Sequence, residues 1–124
     1  MANRGEIACR ILRACKEAGH PTVAVCAPND AGSLFTEMAD TVVMLEGETI
    51  AETYLDQNQI IQAALATGAT AIHPGFGFLS ERAEFATAVE AAGLTWIGPS
   101  ALAIEQMGDK MTARQTMRAA GVPV

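Results

Sequence analysis

The sequence predicts an α/β fold on a doubly wound parallel sheet, and three observations lead there. Short apolar, β-branched stretches alternate with alanine-rich helical stretches along the whole chain. Helical stretches close on glycines that lead into the next apolar stretch, as at Gly19, Gly68 and Gly93. The connections are short, so right-handed crossovers between parallel strands are the simplest path.

The first predicted helix runs from Glu6 to Ala18. Ile7, Ile11 and Cys15 share a stripe with Ala8 and Leu12 beside it, while Arg10, Arg13, Lys16 and Glu17 lie off it. Pro21 to Ala27 reads as a strand and 28–32 as a loop, and Ser33 is placed to cap a short helix to Ala39. Thr41 to Leu45 is a second strand, followed by a turn and an irregular stretch to Leu55. Asp56 or Asn58 starts a helix that carries Ile60, Ile61, Ala64 and Leu65 and ends at Gly68. Ala69 to His73 is a strand, Pro74 to Phe78 a glycine-bearing loop, and Ser80 the expected cap of a helix to Ala92. Leu94 to Ile97 is the fourth strand. Gly98-Pro99-Ser100 opens a helix to Met107, and Asp109 is expected to cap a last helix through Ala120. A doubly wound sheet ordinarily starts with a central strand, yet only Met1-Ala2 stand ahead of the first helix. The first strand is therefore expected to be largely missing.

The 124 residues are one domain's worth, and half are hydrophobic, enough for a packed core. A net charge of −6 disfavours nucleic acid or an anionic membrane as main partner. No apolar run approaches membrane-spanning length and no signal-peptide pattern opens the chain, so a cytoplasmic location is expected. Cys9, Cys15 and Cys26 show no CxxC spacing and read as reduced, packed thiols.

Three segments are candidates for chemistry. Asn3-Arg4-Gly5-Glu6 opens a helix; it reads either as an anion site or as a turn in which Gly5 relieves backbone strain. His73 to Glu81 follows a strand on the sheet edge where α/β folds bind ligands; two glycines allow close approach, and His73 is either functional or bonded to backbone. Lys110 falls in a first helical turn, where a cation opposes the dipole unless it meets an anion; a solvated lysine is the other reading. Spacing shows no nucleophile–base pair, metal constellation or paired carboxylates, so catalytic residues are expected to be none.

Ala2-Asn3-Arg4-Gly5-Glu6-Ile7-Ala8, Ala71 through Glu81 (AIHPGFGFLSE) and Met107-Gly108-Asp109-Lys110 resemble the hallmark strings of biotin carboxylase, as do Ile97-Gly98-Pro99 and Ala120-Gly121-Val122-Pro123. The likeness covers the whole chain in order. It implies a Rossmann-like amino-terminal domain over residues 1–124, preceding ATP-grasp and carboxyl-terminal domains that are absent. It implies that the intact enzyme uses ATP and magnesium to activate bicarbonate as carboxyphosphate and carboxylates biotin held on a carrier protein. Lys110 corresponds to a nucleotide-contacting lysine. Phe76 and Gly77 fall in the biotin pocket, although the family often has Tyr at the position of Phe76. Arg10, Arg13 and Glu17 match positions in the bacterial dimer interface. The expected partners are the rest of the carboxylase chain, a biotin carboxyl carrier protein, a carboxyltransferase and a second copy. The isolated chain is expected to be inactive and to bind none of these cofactors tightly. The alternatives are the front domain of another ATP-grasp ligase, against which the HPGFGFLSE string argues, and a non-catalytic carboxylase-binding module.

Overall fold

Each predicted strand forms, and each is shorter than the apolar stretch that announces it. The computed structural model describes residues 1–108 and 110–123. The strands are β1 (Val23–Cys26), β2 (Thr41–Met44), β3 (Ala71–Ile72) and β4 (Thr95–Trp96). Their ends are trimmed because the flanking backbone groups serve neighbouring elements. The Ala27 N–H goes to the Tyr54 hydroxyl, the Ala69 N–H to Ala64 O of the preceding helix, and the Leu94 N–H to Val89 O. Pro21 and Pro74 have no N–H to give.

β1 pairs in parallel with β2, with Val23 opposite Thr41, and β3 pairs in parallel with β4, with Ala71 opposite Thr95. Residues 1–3 lie between the two pairs without forming a regular strand. The Met1 amino group donates to Val23 O at 2.7 Å, and the Ala2 N–H donates to His73 O at 2.9 Å. The opening segment is thus central, in the spatial order β2, β1, residues 1–3, β3, β4.

The helices are α1 (Gly5–Glu17), α2 (Leu34–Met38), α3 (Gln57–Thr67), α4 (Ala83–Ala91), α5 (Ala101–Gly108) and α6 (Lys110–Ala119). Alternation along β1 shows how they are distributed. Ala24 and Cys26 join Ala8, Cys9 and Leu12 of α1 and Phe35 of α2 in one apolar cluster. Val25 and Ala27 belong to the other, with Tyr54, Ile60, Ile72, Phe85, Val89, Trp96 and Ile104. Successive side chains enter opposite layers, as a sheet covered on both faces requires.

Three local details differ from the expectation. The buried stripe of α1 is Ala8, Cys9 and Leu12, because the helix packs on β1 and on Phe35; Ile7, Ile11 and Cys15 are half-buried beside it. Ser80 does not cap a helix. It sits inside a 3-10 turn (Phe78–Glu81) with its hydroxyl donating to Gly77 O at 2.6 Å, and α4 starts after Arg82. Ser33 occupies the start of α2 without a side-chain cap. Asp56, by contrast, caps α3 by accepting from the Asn58 and Gln59 N–H groups, and Gly68 ends it in the left-handed region at φ 74°. Asp109, the expected cap of the last helix, lies outside the described residues.

Candidate functional site

The carboxyl ends of residues 1–3, β1 and β3 meet on one edge of the sheet, where α/β folds place ligands. Asn3 is 1% exposed. Its Nδ2 donates to Pro74 O at 2.9 Å and to Phe76 O at 2.7 Å, and its Oδ1 accepts the Arg4 N–H at 2.8 Å. Gly5 follows at φ 64°, which bears out its reading as the residue that relieves strain on entry to α1.

The Arg4 side chain, half-exposed, turns one edge of its guanidinium to Asp30. Its Nε and Nη2 donate to Asp30 Oδ2 and Oδ1 at 2.7 and 2.6 Å, a bidentate pair. Asp30 also accepts the Tyr54 hydroxyl at 2.6 Å, and that hydroxyl accepts the Ala27 N–H at 3.0 Å. Hydrogen bonding from Arg4, ahead of that from Tyr54, holds the Asp30 carboxyl below its ordinary value against the opposing effect of burial. Burial first, and Asp30 second, push the Tyr54 phenol well up. The lowered pKa favours the Asp30 carboxylate, which accepts three hydrogen bonds from Arg4 and Tyr54. It serves as an anchor for Arg4 and Tyr54.

The Pro74–Phe78 loop lies against this anchor. Gly75 and Gly77 take φ 71° and 68°, and Phe78, a non-glycine residue, also has a positive φ of 48°. The Phe78 ring stacks on Tyr54 at 5.6 Å between centroids. Phe76, between the two glycines, points outward with 78% of its surface exposed. His73 Nδ1 accepts the Gly75 N–H at 3.0 Å, so the neutral ring carries its proton on Nε2. Burial, helped by the Met1 ammonium, lowers the His73 pKa and favours that neutral form. The bonded reading of His73 therefore holds.

Of the sequence-predicted residues, the structure sets Phe76 and Gly77 side by side on this edge. Arg10, Arg13 and Glu17 are exposed on α1. Arg10 and Arg13 line a shallow groove of about 450 Å³ with Cys9, Leu34 and Phe35. Lys110 begins α6, and its side chain lies outside what the structure describes. Asp30 and Tyr54 escaped the reading of the sequence. Tyr54 is the sole tyrosine, and its place in a polar stretch was the available signal; Asp30 in a Pro-Asn-Asp turn gave none. Among the described residues no group of three or more His, Cys, Asp or Glu is placed to hold a metal ion, and no helix is long and apolar enough to cross a membrane. The edge presents the exposed Phe76 ring, while Asp30 and the Nδ1 of His73 are held in internal hydrogen bonds.

Comparison with known proteins decides which family this edge belongs to. Residues 1–104 match the family model of the biotin carboxylase N-terminal domain. The chain belongs to the biotin carboxylase family. The α-subunit of mitochondrial methylcrotonoyl-CoA carboxylase from Oryza sativa is 52% identical over the whole chain, which spans 17% of that protein. Biotin carboxylase from Pseudomonas aeruginosa is 51% identical over 99% of the chain and 27% of its own length. Among solved structures, the biotin carboxylase domain dimer of Hydrogenobacter thermophilus 2-oxoglutarate carboxylase, complexed with MgADP and bicarbonate, superposes with a TM-score of 0.92 at 47% identity. That match covers 99% of this chain and 27% of the other. The biotin carboxylase subunit of a pyruvate carboxylase gives 0.92 at 51% identity, covering the same two fractions. The chain thus spans between about a sixth and somewhat over a quarter of the curated relatives it matches. The Rossmann-like fold expected from the resemblance is that of these neighbours.

Proposed function

We propose that this chain, residues 1–124, supplies the amino-terminal wall of a biotin carboxylase site, the remainder coming from ATP-grasp and carboxyl-terminal domains. The observation that carries this is identity near one half, over the full chain, with proteins that are themselves biotin carboxylases. The intact enzyme would carboxylate carrier-bound biotin, with ATP and Mg²⁺ activating bicarbonate. The related 2-oxoglutarate carboxylase domain, complexed with MgADP and bicarbonate, supports that set of ligands.

Within this wall, Phe76 and Gly77 would border the biotin ring. The exposed aromatic face provides apolar contact, and the glycine lets the ring approach the backbone. Lys110 would face the ATP phosphates. With His73 and Asp30 bonded internally, the described residues orient and shield while proton transfer falls to the other domains. Arg10, Arg13 and Glu17, charged and exposed on α1, would meet a second copy. A biotin carboxyl carrier protein and a carboxyltransferase complete the expected partners, in the cytoplasm.

The test joins this chain to the ATP-grasp and carboxyl-terminal domains of the Pseudomonas enzyme in place of that enzyme's own first domain. Biotin- and bicarbonate-dependent ADP release is expected from the joined protein and none from the isolated chain. A folded but inactive hybrid overturns the reading, and turnover by the isolated chain overturns the claim of an incomplete site. In the hybrid, Lys110→Ala should raise KM for ATP, and Phe76→Ala should raise KM for biotin.

A further inference from the structure

We propose that Asn3 is the positioning residue of the Phe76 loop. Its carboxamide sets the backbone of that loop, and so the direction in which Phe76 faces the ligand. The ligand half of this statement rests on the biotin reading given above; the loop half does not.

Three observations converge on Asn3. A fully buried carboxamide must satisfy its polar atoms internally, and both Nδ2 protons here go to a single loop, at Pro74 O and Phe76 O. Those two carbonyls flank Gly75, so the side chain bridges the loop backbone at positions i and i+2. Gly75 then closes over the amide: a Cβ built there would lie 2.6 Å from Nδ2 and 2.8 Å from Asn3 Cβ. No side chain fits between the loop and its clamp. The loop's far side is held separately, by the Phe78 ring on Tyr54 and the Ser80 hydroxyl on Gly77 O. Phe76 is thus an exposed ring on a backbone tethered on both flanks. Holding it so before a ligand arrives avoids ordering the loop on binding.

The carboxamide oxygen of Asn3 gives the clamp its reference point. Oδ1 accepts the Arg4 N–H at the entry to α1, so the loop is registered to that helix end. An aspartate at position 3 has the same shape and retains this acceptor, but as a carboxylate it opposes the two loop carbonyls with no proton to give.

The decisive measurement on the isolated chain is through-hydrogen-bond NMR coupling from Asn3 Nδ2 to the carbonyl carbons of Pro74 and Phe76. Both couplings are expected; absence of both overturns the proposal, without any variant. Asn3→Asp should speed chymotryptic cleavage after the exposed Phe76 by about tenfold or more, while amide protection within α1 stays as in the parent. Cleavage at the parental rate also overturns it. In the hybrid enzyme, Asn3→Asp should raise KM for biotin by about tenfold with KM for ATP unchanged. An inactive parental hybrid would remove the biotin reading and leave the loop result standing, so the two failures are distinguishable.

Discussion

The Tyr54 hydroxyl donates to Asp30 at 2.6 Å while accepting the Ala27 N–H, so one phenol joins the end of β1 to the carboxylate that holds Arg4. Both residues are buried; Tyr54→Phe orphans the Ala27 N–H, and loss of Asp30 leaves the Tyr54 hydroxyl without its acceptor. Tyr54→Phe is expected to cost about 2 kcal/mol in urea denaturation. Asp30→Ala should cost about the same or more, tempered by the half-exposed Arg4, which water can reach. The double variant should cost less than the sum, by about 0.5 kcal/mol or more. Strict additivity would show that the two residues act independently.

Acid should loosen this anchor in a defined direction. The Asp30 carboxyl is depressed in the fold by Arg4, so its contribution is fully present above the unfolded carboxyl value of about 3.9. It is lost as pH falls through the still lower folded value. Thermal midpoints measured from pH 7 down to pH 2 should therefore fall more steeply below pH 4 in the parent than in Asp30→Asn. Parallel curves would remove Asp30 as a source of acid sensitivity.

Gly75 and Gly77 share a left-handed φ but not their surroundings. Alanine at Gly77 meets open space and should cost about 1–3 kcal/mol from backbone strain alone, since φ 68° and ψ −160° lie in a region that essentially glycine alone adopts. Alanine at Gly75 adds a collision with Asn3 and should be clearly worse, by about 1 kcal/mol or more. Equal losses in denaturation would mean that the Asn3 contact yields at no cost.

Phe85 is fully buried and meets Trp96 edge to face at 5.4 Å. Phe85→Ala should destabilise by about 3–5 kcal/mol through the cavity it leaves. Trp96 is the only tryptophan, so its fluorescence reports this junction directly. An unchanged emission spectrum and midpoint would contradict the packing.

Cys15 is half-buried, whereas Cys9 and Cys26 are buried, and all three are free thiols. A thiol reagent should label Cys15 first, and the other two only as the protein opens. Mass spectrometry after a brief pulse checks the order.

Much of this was legible in the sequence because local rules decide it. Asp56 and Gly68 bracket α3 by capping and left-handed geometry, and β1 declared itself by a β-branched run. What escaped depends on partners far along the chain. The buried face of α1 turned toward Ala8, Cys9 and Leu12 because Phe35 packs there, which periodicity within α1 does not contain. Ser80 has a capping residue's chemistry, yet its hydroxyl found Gly77 O because Phe78 had already turned the chain. Phe76 and Gly77 were visible as a glycine-rich loop; the clamp from Asn3 and the Arg4–Asp30–Tyr54 anchor behind it were not, since they join positions 24 to 73 residues apart.

Those separations bear on how quickly the chain finds its structure. Residues 1–3 pair with both halves of the sheet, reaching Val23 and His73 by hydrogen bonds. Both parallel strand pairs also need crossovers, so little of the sheet closes through local contacts. Loops of this length must close before such long-range contacts form, which slows folding relative to locally paired structure. The Pro74–Phe78 loop, fastened across 71 residues at Asn3 and Pro74, waits for that closure before it settles.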